Sequence, residues 1–175
     1  MEKTNTSKGG VIILGSARSD GNTAQIAQHL GHDLGWPVVN LLDYQIEPYS
    51  YQHAYANEDF ERLIERLHDY QIWVFATPVY WYSMSGRMKN FLDRFTDLLK
   101  IRKDLGRQLR GKNMAVVTSS NGGNLGNDFF IPFRASAEYL GMHYVAEGHT
   151  LQGENNAAVL EELKVRLVQS VPEVK

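Results

Sequence analysis

The most informative segment of the chain is VIILGSARSDGNT, at residues 11–23. Its first four residues are all apolar, which is typical of a short strand buried on both faces of a sheet. The residues that follow are polar and include glycine, as in a loop, and apolar residues then recur every three or four positions over 26–34, which predicts a helix. The segment therefore begins the first strand–loop–helix unit of an α/β fold.

The same alternation continues along the chain. Further strands are predicted at 38–42, 72–76, 114–118 and 143–146, and further helices at 60–67, 88–99, 129–140 and 154–168. Asn57 is the expected N-cap of the first of these helices, and residues 43–56 are expected to form a long loop. Five strands that alternate with five helices predict one domain, over residues 1–175, with an open parallel sheet covered on both faces.

Composition excludes several classes of function. The chain of 175 residues has no cysteine, which rules out disulfides, a thiolate nucleophile, cysteine-ligated zinc and iron–sulfur clusters. Its 18 basic and 20 acidic residues give a net charge of −2, so no basic face for nucleic acid is expected. The first ten residues are polar, and the longest aliphatic run is too short to cross a bilayer, so we expect a cytoplasmic protein without a membrane segment.

Ligands of open parallel sheets bind beyond the carboxyl ends of the strands. The loop after the first strand suits a phosphate there. Ser16 and Thr23 offer hydroxyl groups, and Asn22 offers an amide. Arg18 adds a guanidinium, and Gly21 lets backbone N–H groups turn inward at a helix N-terminus. An ordinary capped turn is the alternative. Neither G-x-G-x-x-G nor a loop ending in Gly-Lys-Ser/Thr is present, so a monophosphate such as that of FMN fits better than ATP or a dinucleotide.

The loop after the third strand, at 77–86, contains three consecutive aromatic residues: Tyr80, Trp81 and Tyr82. Successive side chains of an extended segment point to opposite sides, so at least one of the three is expected to face a ligand or a partner. Pro78 stiffens the segment, which would then support a flat ring. Packing under the following helix, or an oligomer contact, is the alternative.

The loop after the fourth strand reads SSNGGNLGN, at residues 119–127. Its glycines allow close approach of the backbone to a ligand, and its polar groups offer hydrogen bonds to the edge of a ring. Such a composition is also common in loops without a ligand.

Two motifs together resemble the flavodoxin-fold NAD(P)H-dependent FMN reductases and quinone reductases, a family with an iron–sulfur flavoprotein branch. G-S-x-R-x-x-G-N-T at 15–23 is similar to the family's phosphate loop. T-P-V-Y-W-Y-S-M-S-G-x-x-K-N-F-x-D-R at 77–94 is similar to its isoalloxazine loop and the helix after it. The resemblance covers roughly residues 10–150. It implies a flavodoxin-like three-layer sandwich whose five-stranded parallel sheet has the order 2-1-3-4-5.

The resemblance also implies a function. The enzyme would pass a hydride from NAD(P)H through bound FMN to a small acceptor, such as a quinone, a flavin, an azo compound or a nitroaromatic. It would form a homodimer or homotetramer. No catalytic acid or base and no metal is expected; Tyr82 would border the substrate, and backbone N–H groups at 79–81 would stabilise the reduced ring. The residues expected to bind FMN are Ser16, Arg18, Asn22, Thr23, Pro78, Val79, Tyr80, Trp81, Ser119 and Gly122.

Other functions are weighed against this one. A flavodoxin-like carrier that exchanges electrons with protein partners is the main alternative, but the near-neutral charge and the aromatic cluster favour the enzyme. A flavin-free interaction domain is a third class. A serine hydrolase is disfavoured because the chain contains no G-x-S-x-G motif.

Three further features of the sequence lie outside these two motifs. Residues 46–55 carry tyrosines where the iron–sulfur branch typically has clustered cysteines, so this loop is expected to shape a substrate pocket or a subunit contact. Asp93 and Arg94 are expected to form an exposed or interfacial charge pair. His29 and His32 are interpreted as solvated helix residues rather than metal ligands.

Overall fold

The structure is a computed structural model that describes residues 8–55 and 59–171. Six strands and seven α-helices lie in these ranges. The strands are β1 (Lys8–Leu14), β2 (Val38–Asn40), β3 (Tyr70–Tyr80), β4 (Ser83–Met84), β5 (Asn113–Ser120) and β6 (His143–Leu151). The helices are α1 (Asn22–Leu34), α2 (Phe60–Leu67), α3 (Gly86–Asp93), α4 (Phe95–Lys100), α5 (Lys103–Arg107), α6 (Ile131–Leu140) and α7 (Ala157–Gln169).

Five of the strands form a parallel sheet in the order β2-β1-β3-β5-β6, and β4 pairs antiparallel with the end of β3. Without β4 this is the flavodoxin-like order 2-1-3-4-5, so the predicted topology is confirmed. The order reverses between β1 and β3, where Leu14 pairs with Ala76. The carboxyl ends of these two strands therefore flank the edge at which such sheets bind ligands.

Helices cover both faces of the sheet. Ile12 and Val74 point toward the face packed by α1 and α7, and Ile13 and Phe75 point toward the face packed by α2 to α6. All four side chains are fully buried, and each such burial stabilises the fold by about 1.5–3 kcal/mol. Burial on both faces explains why these strands are almost continuously apolar. Within the described ranges, no helix is both long enough and apolar enough to cross a bilayer.

The predicted loop at 77–86 is wrong in its first half, because β3 continues to Tyr80. Thr77 pairs with Thr118 of β5, and the strand then pairs through Val79 with Met84 of β4. The apolar run that predicts a strand stops at Ala76. The continuation depends on partner strands that are distant in sequence, and strand formation follows such pairing more than local propensity.

Two other strands also end where the sequence does not predict. Strand β6 continues to Leu151, because the carboxyl half of β5 pairs with it as far as Ser120. Strand β2 stops at Asn40, whose side-chain oxygen accepts a hydrogen bond from the N–H of Leu42 at 3.0 Å. That local hydrogen bond turns the chain into a short 3-10 helix at Leu41–Asp43.

The helices follow the predicted apolar faces with different boundaries. The helix expected at 88–99 is divided into α3 and α4, and the short α5 is not predicted. A 3-10 turn at Asn127–Phe130 precedes α6. The expected N-cap Asn57 lies outside the described residues, and Asp59 occupies the N-cap position of α2.

The expected charge pair of Asp93 with Arg94 is wrong. Asp93 accepts a hydrogen bond from Lys89 on the exposed face of α3, with a distance of 2.5 Å between Nζ and Oδ1. Arg94, at the break between α3 and α4, is only 1 % exposed. Its Nε donates to Oδ2 of Asp97 at 2.7 Å, and its guanidinium lies 3.5 Å from the centre of the Tyr55 ring. Arg94 therefore points inward and anchors the tyrosine-rich loop, residues 46–55, at the break between α3 and α4.

Candidate functional site

A cavity of about 340 Å³ opens at the carboxyl ends of β1, β3 and β5. Its volume lies within the range of about 300–1,000 Å³ that is usual for small-molecule sites. No carboxylate is among its described lining residues, so an anion can enter without repulsion from the wall. The lining residues are Ser16, Arg18, Gly21, Asn22, Thr23, Pro78, Val79, Tyr80, Ser119, Asn121 and Gln152.

The first wall of the cavity is the N-terminus of α1. Gly21 is the N-cap, and no side chain in the described part of the protein caps this end. The N–H of Gln25 makes the first hydrogen bond of the helix, to the carbonyl oxygen of Gly21 at 3.0 Å. The three preceding amides therefore have no acceptor in the helix. Free N–H groups and the positive end of the helix dipole together favour a bound anion.

Ser16 and Arg18 extend this wall. The side chain of Ser16 is 3 % exposed, and its oxygen accepts a hydrogen bond from the N–H of Arg18 at 3.4 Å, which fixes the turn. The exposed guanidinium of Arg18 can form two parallel hydrogen bonds with a phosphate. Gly15 precedes the turn, and a Cβ at this position would lie 2.9 Å from Cβ of Met88. Glycine is needed here so that the loop can pass close to α3.

Four buried hydroxyl groups join the carboxyl ends of the strands around the cavity. Oγ1 of Thr150 donates to the carbonyl oxygen of Thr118 at 2.9 Å. Oγ1 of Thr118 in turn donates to the carbonyl oxygen of Thr77 at 2.7 Å. The N–H of Ser85 donates to Oγ1 of Thr77 at 3.0 Å, and the Ser85 hydroxyl donates to the carbonyl oxygen of Gly15. This network holds β6, β5, β3 and the first loop in a fixed arrangement.

The second wall is the end of β3, where Pro78, Val79 and Tyr80 line the cavity. The hairpin turn beyond it consists of Trp81 and Tyr82, whose φ angles are 51° and 60°. Two-residue hairpins with positive φ at both positions normally use Asn-Gly, because bulky residues are strained there. Strain of this kind occurs mainly at functional sites. Trp81 is 96 % exposed, which agrees with the expectation that one of the three aromatic residues does not face the core.

The third wall comes from the ends of β5 and β6. Ser119 and Asn121 line the cavity from β5 and its loop, and Gln152 lines it from the residue after β6. The N–H of Gln152 donates to the carbonyl oxygen of Ser120 at 2.9 Å, which joins the two segments. Gly122 lies outside the cavity, and its carbonyl oxygen accepts a hydrogen bond from the hydroxyl of Ser120 at 2.8 Å.

The structure thus brings together eight of the ten residues expected to bind FMN; Trp81 and Gly122 do not line the cavity. Tyr82, expected at the substrate, does not line it either, and its hydroxyl accepts a hydrogen bond from Asn124 at 3.1 Å. Asn121 and Gln152 also line the cavity, although the sequence does not predict either of them as a site residue. Asn121 lies in the predicted loop at 119–127, but nothing distinguishes it there from the other polar residues. Gln152 was not predicted because β6 was expected to end at residue 146, six residues before it.

Other titratable clusters lie away from the cavity. His29 and His32 each lie near Asp33, with N–O distances of 3.7 Å and 3.5 Å. Among the described residues no set of three His, Cys, Asp or Glu side chains has the arrangement of a metal site. Another, more open cavity of about 700 Å³ lies beside Tyr49 and Tyr51 of the tyrosine-rich loop.

Comparison with known proteins identifies the family. The NADPH-dependent FMN reductase family matches residues 11–156 of the chain, which spans the sheet and all three walls of the cavity. The chain belongs to this family. The predicted class, an NAD(P)H-dependent FMN reductase, is confirmed.

Individual relatives agree with this membership. YwqN of Bacillus subtilis (strain 168), named as an NAD(P)H-dependent FMN-containing oxidoreductase, is 31 % identical over 156 residues, which are 83 % of this chain and 84 % of YwqN. The Trp repressor binding protein of Bacillus subtilis is 25 % identical with a TM-score of 0.67, and the match covers 92 % of this chain and 97 % of that one. An NADPH-quinone reductase of P. pentosaceus, 18 % identical, shares the fold with a TM-score of 0.67 over 96 % of this chain and 100 % of its own.

Proposed function

We propose that the cavity binds FMN and that the enzyme uses it to carry reducing equivalents from NAD(P)H to a small acceptor, such as a quinone, a flavin, an azo compound or a nitroaromatic. One observation carries the proposal. The uncapped N-terminus of α1, with Ser16 and Arg18, shares one cavity with the extended segment Pro78–Tyr80. A phosphate attached to a planar ring needs an anion site and a flat surface together.

The first wall fits the phosphate. Its donors are the amides of the first turn of α1, the hydroxyl groups of Ser16 and Thr23, the amide of Asn22 and the guanidinium of Arg18. These groups are all donors toward an anion, and no carboxylate among the lining residues opposes them. They fit a monophosphate without a metal ion.

The second and third walls fit the ring. Pro78, Val79 and Tyr80 form a stiff strand edge, because Val79 and Tyr80 are paired with β4. Ser119, Asn121 and Gln152 offer hydrogen bonds from the ends of β5 and β6. Backbone N–H groups at 79–81 remain our candidates for contacts with the reduced ring, and Trp81 and Tyr82 would face the substrate from the strained hairpin.

Bound FMN supplies the hydride chemistry, so the side chains are needed for binding and orientation rather than for proton transfer. This role is consistent with the described lining residues, which include neither a histidine nor a carboxylate. A cytoplasmic location, a homodimer or homotetramer and a single domain over residues 1–175 are part of the same proposal.

Anaerobic titration tests the function. The protein is loaded with FMN and titrated separately with NADPH and NADH while the flavin absorbance is recorded, and acceptors of the four classes are then added. We expect either nucleotide to bleach one equivalent of flavin, and at least one acceptor to restore the colour. Bleaching by a reduced protein partner but not by NAD(P)H would instead support an electron carrier. A colourless protein that takes up no FMN would support an interaction domain.

A further inference from the structure

A serine–histidine contact lies next to the cavity but plays no part in the function described above. His149, near the carboxyl end of β6, has its Nε2 2.7 Å from Oγ of Ser120, the last residue of β5. The same Ser120 oxygen lies 2.8 Å from the carbonyl oxygen of Gly122. Between Ser120 and Gly122 lies Asn121, which lines the cavity.

The three atoms determine where the protons are. A carbonyl oxygen only accepts hydrogen bonds, so the single hydroxyl proton of Ser120 must point to Gly122. The contact with His149 then needs a proton on Nε2, which donates to the serine oxygen. Burial lowers the pKa of His149 and favours the neutral imidazole, which carries one proton. The neutral ring is therefore the Nε2–H tautomer, with Nδ1 unprotonated.

We propose that His149 is a positioning residue of the FMN site: through Ser120 it holds the turn 120–122 in the conformation that presents Asn121 to the cavity. The inference rests on the proposed function, because the bound group is taken to be FMN. The backbone hydrogen bond from Gln152 to the Ser120 carbonyl oxygen ties the start of the turn to β6, and the hydrogen bond from the Ser120 hydroxyl ties Gly122 to the turn. Rotation of the Ser120 side chain would release Gly122, and the His149 donor opposes that rotation.

The same geometry argues against a nucleophilic role for this pair. A serine nucleophile needs histidine as the acceptor of its proton. Here the hydroxyl proton is directed to Gly122, and His149 is the donor. We therefore expect Ser120 to be unreactive toward a fluorophosphonate probe, and covalent labelling of Ser120 would overturn the assignment.

The tautomer is measurable without any ligand. Nitrogen NMR of the apoprotein labelled with 15N-histidine distinguishes a protonated from an unprotonated ring nitrogen. We expect His149 to have its proton on Nε2 near neutral pH, and Ser120→Ala to shift it toward a mixture of tautomers. A proton on Nδ1 in the unmodified protein would overturn the inference.

FMN affinity tests the consequence. His149→Phe keeps a ring but removes the donor, and Ser120→Ala removes the link. The net contribution of one hydrogen bond corresponds to a change of up to about tenfold in a dissociation constant. Each substitution is therefore expected to weaken FMN binding about tenfold. The double variant is expected to bind no more weakly than either single variant, since both act through one turn. His149→Gln, which retains an N–H donor, is expected to recover part of the loss.

His143→Phe is the matched control, because His143 is exposed at the opposite end of the same strand. It should leave FMN affinity unchanged. The melting temperature of each apoprotein is measured in parallel, and the inference requires affinity to fall while that temperature stays within a few degrees of the parent. Unchanged affinity in His149→Phe, or additive losses in the double variant, would overturn it. If the parent protein itself binds no FMN, the proposed function fails, while the tautomer measurement still tests the hydrogen bonds.

Discussion

The hydroxyl of Ser85 joins the first loop to helix α3: it donates to the carbonyl oxygen of Gly15 and accepts a hydrogen bond from the N–H of Met88 at 3.0 Å. Ser85 is therefore both the N-cap of α3 and the contact between two walls of the cavity. Its side chain is 1 % exposed, so water cannot replace either hydrogen bond.

Replacing this hydroxyl should weaken both the fold and the site. Ser85→Ala leaves the Gly15 carbonyl oxygen and the Met88 N–H without partners, which we expect to cost about 1–3 kcal/mol of unfolding free energy. Urea denaturation measures this cost, and FMN titration should show weaker binding. Ser83→Ala, on the exposed side of the same hairpin, is the control and should change stability by less than about 0.5 kcal/mol. Equal urea midpoints for the two variants would contradict the role of Ser85.

The phosphate assignment predicts a selective loss. Ser16→Ala combined with Arg18→Ala removes a hydroxyl and a charged donor from the first wall of the cavity. Hydrogen bonds to charged groups contribute about 1.5–3 kcal/mol each, so we expect FMN affinity to fall about 100-fold or more. Riboflavin has the ring without the phosphate, so its affinity should change by less than about threefold. Calorimetry with both ligands measures the difference.

Ser19→Ala serves as the control for the phosphate loop, because Ser19 is an exposed residue of the same loop that does not line the cavity. It should leave both affinities unchanged. Parallel losses for FMN and riboflavin in the double variant would mean that the loop was distorted, and unchanged FMN affinity would exclude the phosphate assignment.

The presence of the five parallel strands and of the first loop was predictable because their signals are local. The apolar run 11–14 marks a strand that is buried on both faces, whichever strands lie beside it in the sheet. The glycine and hydroxyl residues of 15–23 follow it directly and precede helix α1. The strand order alone then predicts that residues 77–80 lie beside that loop.

Features that depend on distant partners were not predictable. Gln152 reaches the cavity only because β6 pairs with β5 five residues beyond its apolar signal. Arg94 lies among charged neighbours in the sequence and looks exposed, yet Asp97 and the ring of Tyr55 compensate its burial. Arg94 and Asp97 have ordinary i, i+3 helix spacing, but that spacing does not show that the pair is buried. Tyr55 belongs to a loop with no period, so its contact with Arg94 has no signal in the sequence.

Two neighbouring ion pairs should differ strongly in their contribution to stability. Arg94 and Asp97 are each about 1 % exposed, whereas Lys89 and Asp93 are 57 % and 45 % exposed. Arg94→Ala removes the guanidinium from the buried Asp97 carboxylate and leaves it with His53 Nδ1 at 2.7 Å and the Tyr55 hydroxyl at 3.3 Å. We expect a loss of about 3 kcal/mol or more. Asp93→Ala removes an exposed pair, and the loss should be about 0.5 kcal/mol or less. Urea denaturation of both variants tests this, and similar losses would contradict the burial of Arg94.

His68 should make stability depend on pH. Burial and the positive charge of Lys112 together lower its pKa to about 4, while the backbone of Leu105 and the carboxylates of Asp104 and Asp69 oppose the shift. The unfolded chain, with an ordinary pKa of about 6.5, therefore takes up the proton first as the pH falls. Stability contributed by neutral His68 is complete above pH 6.5 and is lost between about pH 6.5 and 4, up to about 3 kcal/mol.

Replacement of His68 isolates this contribution. His68→Phe keeps an aromatic ring near Trp73 and removes the titration, so its unfolding free energy should fall less than that of the parent between pH 7 and pH 4. Urea titrations at several pH values measure the difference. His143→Phe, at an exposed position, should retain the pH dependence of the parent. Identical pH profiles for the parent and His68→Phe would contradict the lowered pKa.

The strained hairpin should show opposite effects on stability and activity. Tyr82 has a φ of 60°, a conformation that glycine adopts without strain, so Tyr82→Gly is expected to stabilise the fold by about 1 kcal/mol. The same substitution removes an aromatic side chain that the proposed function places near the substrate, so kcat/KM for the acceptor should fall at unchanged FMN affinity. Tyr51→Gly is the control, because Tyr51 is also exposed but lacks a positive φ, and it should not stabilise the protein. A destabilised Tyr82→Gly variant would mean that the Tyr82 side chain, through its hydrogen bond with Asn124, contributes more than the backbone strain costs.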